Sequence, residues 1–410
     1  MLTRNDCARH DAGDPLAGFR ERFALPPDVI YLDGNSLGAL PRDTPARVAA
    51  LIETEWGRDL ITSWNRHAWI ELPARLGDKI ARLIGAAPGE VAVADSTSVN
   101  LFKLLSGALD LVPERRVVLS DTGNFPTDLY VAQGLLGLRC GRLALRTVEE
   151  TALIDAIDGE TAVVLLTQVN YRTGRLHDLH DVTAAAHRAG ALVLWDLSHS
   201  AGALPVALNA AGADFAVGCG YKYLNGGPGA PAFLFVAGRH QERLRPPLSG
   251  WMGHEAPFAF DPDYRPARGI ARQLCGTPAI LSLAALEVGV DLLLEADLGA
   301  LRTKSMALGA LFVDLVEQRC AGVLTLASPR DPAARGSQVS LRHPHGYAIV
   351  QALIARGVIA DFRAPDILRF GFAPLYLRHV DVWDAVAQLA DIMQSRAWDK
   401  PEFHRRAAVT

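Results

Sequence analysis

Long uncharged apolar runs are missing from this chain. No stretch reaches the roughly eighteen such residues that a membrane-spanning helix requires, and the opening segment MLTRNDCARHDAGDP lacks the apolar core of a secretory leader. Runs of one charge are missing as well. The 41 basic and 45 acidic residues are interspersed and leave a formal charge of −4, which argues against a nucleic-acid-binding arm or a disordered tail. Cysteine is sparse: Cys7, Cys140, Cys219, Cys275 and Cys320 are odd in number, scattered and never spaced as C-x-x-C. Neither a disulfide framework nor a metal centre is expected from them. No G-x-G-x-x-G joins a strand to a helix, which removes the main sign of a nicotinamide-dependent oxidoreductase. There is no internal repeat or low-complexity linker. Together these absences predict a soluble, cytoplasmic protein in a reducing compartment, with small molecules as partners and no nucleic acid or membrane.

What is present is a chain of 410 residues, half of them apolar, enough for a large core and two domains. Its middle alternates β-branched apolar runs with helical patterns, the signature of βαβ units and a mainly parallel sheet. The expected fold class is α/β, with a large domain over 50–280 and a smaller α+β domain built from 1–49 and 281–410. Four places matter for chemistry. Residues 91–109, VAVADSTSVNLFKLLSGAL, read as a strand, a Ser/Thr cap and an amphipathic helix whose positive end would attract an anion. RRVVLSDTGNFPTDLYVAQGLL places Phe125 at a strand's carboxyl edge, with Pro126 opening the next helix. TAVVLLTQVN, a helix through DLHDVTAAAHRAG, and ALVLWDLSHSAG form a unit whose second strand delivers Asp196 and His199 to the edge where ligand crevices lie. Finally, ADFAVGCGYKYLNGGPGAPAFLFV is two apolar runs around a glycine-rich loop holding Lys222, the only lysine between Lys103 and Lys304.

These residues match the needs of pyridoxal phosphate: a lysine for a Schiff base, a carboxylate to keep the pyridine nitrogen protonated, and a phosphate cradle. Lys222 supplies the first and Asp196, 26 positions earlier, the second. Taken singly, Lys222 is equally well a solvated loop lysine and Asp196 a strand-end cap. Thr97 and Ser98 fit a phosphate but also ordinary helix capping. Phe125 is by default a core aromatic, although its polar setting suits a ring stacked on a cofactor, and His199 is ambiguous in the same way.

The stretches YLDGNSLGALP, TGNFPTDLY, WDLSHSAG, GYKYLNGGPGAPAFLFV, GWMGHEAPF, ARGSQVSLRH and LRFGFAPLY, in this order across nearly the whole chain, resemble those of the kynureninase family. The resemblance implies a fold-type I pyridoxal-phosphate enzyme, a homodimer with shared active sites, that hydrolyses L-kynurenine to anthranilate and L-alanine in tryptophan catabolism or the supply of NAD precursors. It implies Lys222 as the Schiff-base lysine that also moves the Cα proton, Asp196 as the partner of the pyridine nitrogen and Phe125 as the stacked ring. Thr97, Ser98, Asp128, Thr167, His199 and Tyr221 match further cofactor contacts, with Tyr221 also a candidate for proton transfer. Trp251 and Thr277 match residues supplied across the dimer interface. Arg369 matches the arginine that holds the substrate's α-carboxylate, a task suited to a planar fork, and Ser36 joins the substrate-binding set.

Where animal enzymes that favour 3-hydroxykynurenine carry a histidine and an asparagine, this chain has Trp64 in ITSWNRHAW and Thr277 in CGTPAI. An apolar wall in place of a hydrogen-bonding ring predicts a preference for unsubstituted kynurenine; Trp64 as a packing residue is the alternative. A cysteine desulfurase would need a nucleophilic cysteine where ARGSQVSL has none. An aminotransferase shares the Lys, Asp and Arg set but does not account for GWMGH. An inactive binding protein on the same fold would be expected to lose Lys222 or Asp196, and both are present.

Overall fold

The computed structural model describes residues 2–139, 141 and 143–407; Cys140 lies outside the described residues. The strands, numbered in chain order, begin with the short β1 (Ile30–Tyr31). The main sheet follows as β2 (Val91–Val93), β3 (Val117–Asp121), β4 (Ala144–Val148), β5 (Thr161–Thr167), β6 (Leu192–Asp196), β7 (Phe215–Gly218) and β8 (Phe233–Val236). The remaining strands are β9 (Thr325–Leu326), β10 (Gln338–Arg342), β11 (Val358–Ile359), β12 (Asp361–Arg363) and β13 (Ile367–Gly371).

The main sheet has seven strands in the order β2-β8-β7-β6-β5-β3-β4. Every residue of β5, TAVVLLT, is buried, the continuous apolar run expected of a strand covered on both faces. Its side chains alternate between the two cores because successive strand residues point to opposite faces. Val164 and Leu166 join Trp195 and the helix Leu72–Ile84 on one face. Val163 and Leu165 join Leu194, Phe215 and the helix Thr97–Leu111 on the other.

Strands β4, β3, β5, β6 and β7 are parallel, as the βαβ pattern predicts. The sheet as a whole is mixed, because β8 runs antiparallel to both β7 and β2. The physical reason is the connection. The glycine-rich loop from Gly220 to Gly229 carries no helix, so the chain turns straight back beside β7 instead of crossing over. Two antiparallel pairings in succession leave β2 pointing the same way as β7.

A four-stranded antiparallel sheet, β12-β13-β10-β9, follows the long helices Ile280–Leu294 and Leu298–Arg319. The N-terminal segment joins this later part of the chain: β1 pairs in parallel with β11, and Arg4 forms an ion pair with Asp384 on the last long helix, His379–Ser395. No described helix is long and apolar enough to cross a membrane.

Candidate functional site

The site forms along the carboxyl edge of the parallel strands. After β3 the next strand in sequence, β4, lies on one side and β5 on the other, and a crevice opens at such a reversal of direction. Asn124 and Phe125 follow β3, Thr167 ends β5, Asp196 ends β6, and Lys222 follows β7. Because β2 points the same way, Thr97 and Ser98 reach this edge too, on the first turn of the helix Thr97–Leu111. The helix cap is Ser96, whose Oγ accepts from Val99 N at 3.3 Å. The first-turn N–H groups of a helix lack intrahelical partners and favour a negative charge nearby.

Lys222 Nζ lies 3.0 Å from His199 Nε2 and 5.8 Å from the ring centres of both Phe125 and Tyr221. Burial, together with the Lys222, Arg369 and Arg363 charges, holds the His199 imidazole well below its usual pKa. The ring is therefore neutral, and Nε2 accepts from the lysine. Asp196 is buried, and its Oδ1 accepts from Ser198 N at 2.7 Å. Burial raises its carboxyl, opposed by that hydrogen bond and by Lys222. Burial and the neighbouring Asp196 push Asp128 well above the usual carboxylate range. Burial also raises the Tyr221 hydroxyl, although the side chain reaches the surface.

Asn124 organises this edge, and sequence reasoning passed over it inside the TGNFPTDLY stretch. Its Oδ1 accepts from Phe125 N at 2.8 Å and Thr167 N at 3.0 Å, and also from Thr167 Oγ1. Its Nδ2 donates to Ser120 Oγ at 3.0 Å. One buried amide thus ties β3, β5 and the start of the helix Pro126–Leu138, which carries Asp128 in its first turn. Thr167 Oγ1 also lies 3.4 Å from Asp128 Oδ2.

Two buried atoms in this cluster, Asp128 Oδ1 and His199 Nδ1, have no hydrogen-bond partner. Unsatisfied buried polar atoms cost roughly 1–3 kcal/mol each unless something pairs with them. A flat heteroaromatic ring with polar atoms at its rim, entering between Phe125 and the β6 edge beside Lys222, suits that donor and acceptor set. The residues present therefore fit pyridoxal phosphate.

Arg369, on β13, is 1% exposed. Its guanidinium meets Asp361 side-on, with Nε 2.9 Å from Oδ1 and Nη2 on Oδ2. It also donates to Ser36 Oγ at 2.7 Å and to Tyr171 O at 2.8 Å. Tyr171 in turn meets the Phe125 ring edge-on at 5.1 Å, which links this arginine to the Lys222 cluster. The loop carrying Ser36 is held against Lys222 by glycine. Gly38 N donates to Tyr221 O at 2.8 Å, and a Cβ at Gly38 would sit 2.3 Å from Lys222 O. Asp361 and Tyr171 were not singled out from sequence; the D-x-R spacing before LRFGF was the available signal for Asp361.

Three expected residues do not touch this cluster within the chain. Trp64 is half-buried on the short helix Ser63–Arg66 and packs edge-on against Trp69 at 5.9 Å. Trp251 packs against Phe258 and Phe260 at 5.5 and 6.3 Å. Thr277 is exposed, next to a hollow of about 380 Å³ whose walls include Trp56, Trp69 and Pro278.

Comparison with known proteins separates the family from the fold. A kynureninase C-terminal domain model matches residues 301–389. A kynureninase from Burkholderia pseudomallei (strain 1106a) is 58% identical to this chain, and one from Pseudomonas fluorescens 55%, each alignment covering 100% of both sequences. The chain belongs to the kynureninase family. Solved structures carry the fold of this chain at lower identity. An apo cysteine desulfurase from Thermococcus onnurineus NA1 superposes with a TM-score of 0.79 at 19% identity, over 92% of this chain and 98% of that one. The cystine C–S lyase C-DES, in complex with its product cysteine persulfide, gives 0.78 at 20%, over 89% and 98%.

Proposed function

We propose that this member of the kynureninase family is a pyridoxal-phosphate-dependent hydrolase that cleaves L-kynurenine to anthranilate and L-alanine. The observation that carries the reading is the meeting of Lys222 with His199, Phe125 and two raised carboxyls, Asp128 and Asp196, at the carboxyl edge of the sheet. Full-length identity of 55–58% to kynureninases supports it.

Asp196, with Asp128 beside it, would hold the pyridine nitrogen, Phe125 would cover the ring face, and Thr167 and His199 would contact its rim. Thr97, Ser98 and Tyr221 would hold the phosphate. Bound through Lys222, the cofactor supplies an electron sink for charge developing at Cα and Cβ. The protein's own groups do the rest. A positively charged nitrogen partner would relieve the repulsion between the two buried carboxyls and draw both toward the ionised form. Neutral His199 accepts from Lys222 Nζ and holds it at the crevice, where the freed amine takes the proton from the substrate's Cα. Tyr221, whose burial keeps its hydroxyl protonated, would donate the proton that Cβ takes up when the hydrated γ-carbonyl leaves as the carboxyl product and the electron pair of the Cβ–Cγ bond stays on Cβ. Arg369 and Ser36 orient the α-carboxylate.

Trp64, Trp251 and Thr277 have no contact with Lys222 inside one chain, and Trp56, Phe258 and Phe260 are 56%, 59% and 75% exposed. Large exposed aromatics of this kind mark an interface. They support a homodimer in which Trp251 and Thr277 complete the neighbouring site. Trp64 and Thr277 then favour unsubstituted kynurenine over 3-hydroxykynurenine. A division into 50–280, against 1–49 with 281–410, fits the pairing of β1 with β11. A cytoplasmic role in tryptophan breakdown or NAD supply completes the reading.

Product analysis tests it. L-kynurenine should yield fluorescent anthranilate and alanine in equal amounts; an α-keto acid product would replace hydrolysis with transamination.

A further inference from the structure

The arginine expected to grip the substrate's carboxylate is already engaged. Of the five N–H groups of a guanidinium, Arg369 directs one from Nε and one from Nη2 to Asp361, a second from Nη2 to Ser36 Oγ, and one from Nη1 to Tyr171 O. The side-on fork, the geometry best suited to a carboxylate, is filled by Asp361, and the side chain is almost wholly buried. Arg369 alone therefore has no free fork for the substrate.

A second guanidinium stands beside it. Arg363, on the neighbouring strand β12, places Nη2 2.8 Å from Asp361 Oδ2 and 3.4 Å from Ser36 Oγ. Its side chain is 36% exposed where that of Arg369 is 2%. β12 pairs with β13 so that Asp361 faces Arg369 directly and Arg363 faces Ile367. Asp361 thus sits between two arginines, one buried and one at the rim. Both charges reach the reacting groups: each contributes to lowering His199, and Arg363 also acts on Tyr221. Two arginines and Asp361 leave net positive charge beside Ser36 while the neighbouring Asp33, raised by burial and by Asp361, keeps its proton.

The geometry points to Arg363 as a substrate-binding residue. It receives the α-carboxylate of an amino-acid substrate together with the remaining Arg369 N–H, while Asp361, which also accepts from Ser36 Oγ at 2.7 Å, is the positioning residue that fixes both arginines. This assignment rests on the amino-acid chemistry proposed above and adds to it a residue that the resemblance did not supply. It also explains the burial of Arg369, which works as a rigid brace behind the contact that faces solvent.

The test uses holoenzyme carrying Arg363→Gln, a rim substitution that leaves the Asp361–Arg369 pair in place. Binding of L-alanine and of ethylamine, the same molecule without its carboxylate, is followed by the change in the cofactor's absorbance. Alanine should bind about 30-fold more weakly than to the parent, the loss expected for a charge-assisted hydrogen bond. Ethylamine binding should be unchanged, which also shows that the fold and the cofactor site are intact. Equal affinity for alanine in parent and variant would overturn the proposal, as would equal weakening of both ligands. A parent enzyme that binds alanine but makes no anthranilate would count against the functional reading and leave the arginine result standing.

Discussion

The two ends of one parallel sheet treat buried carboxylates in opposite ways. At the amino end, Asp214 precedes β7 and is fully engaged: His187, His240 and Arg239 lie 2.8, 2.7 and 2.7 Å away, and Val193 N donates at 2.9 Å. Those hydrogen bonds and the His187 charge outweigh burial and hold its carboxyl far below the usual range. At the carboxyl end, Asp128 and Asp196 are as deeply buried but poorly partnered, one oxygen of Asp128 has nothing to bond, and both carboxyls are raised. A satisfied buried charge stabilises the fold, whereas an unsatisfied one stores a demand that a ligand can meet. The difference supports the carboxyl edge of the sheet as the working one.

Exchanging each carboxyl for an amide separates the two roles. Asp196→Asn should lower kcat by about two to three orders of magnitude, the scale of losing an electrostatic group at the reacting centre. Its urea midpoint should stay near that of the parent, since a neutral side chain suits the site without cofactor. Asp214→Asn should do the reverse. Stability should fall on the order of 3 kcal/mol, as one amide cannot serve His187, His240, Arg239 and the Val193 N–H together, while kcat of the folded protein changes less than about twofold, the range for sites remote from the chemistry. If both variants lose mainly activity, or both mainly stability, the contrast is wrong.

The same contrast predicts opposite pH dependences. Asp214, depressed in the folded state, contributes stability that is present above its unfolded pKa and lost as pH falls through the acid range. Asp33 lies near Asp361, Arg363 and Arg369 and is pushed up from 3.8 to about 7, first by burial and then by Asp361. The fold therefore binds the Asp33 proton more tightly than the unfolded chain does. Its contribution is full below pH 3.8 and is lost as pH rises toward about 7. Asp33→Asn should flatten the fall in urea midpoint across that window and raise stability at pH 8; an unchanged profile would contradict the assignment.

The smallest expected effect concerns the substrate's ring. Trp64→His should move the ratio of kcat/KM for kynurenine over 3-hydroxykynurenine toward the hydroxylated substrate by roughly 10-fold or less, the range for one added hydrogen bond. No movement would make Trp64 a packing partner of Trp69 alone.

Much of this arrangement was legible in the sequence, and the limits have physical causes. Apolar runs and caps located β5, β6 and the helix Thr97–Leu111 because local patterning decides them. Lys222 stood out as the only lysine between Lys103 and Lys304, set in a glycine-rich loop, and Asp196 because it falls at a strand end, where parallel sheets open. The antiparallel course of β8 was not visible, since a run such as AFLFV fits either direction and the helix-free Gly220–Gly229 loop decides it. Asn124 was hidden because its role depends on β5 lying beside β3, a pairing across 43 positions of chain between Asn124 and Thr167. Asp361 was hidden for a similar reason: its spacing from Arg369 reads as two unrelated strand residues until β12 and β13 pair and bring them side-on.

The central claim is that Lys222 holds the cofactor. Its direct test is the absorbance spectrum of the purified holoenzyme before and after borohydride, followed by peptide mapping. The account predicts a visible band that borohydride removes, with the pyridoxyl group recovered on Lys222. A colourless protein that stays inactive with added pyridoxal phosphate, or a label found on another lysine, would contradict it.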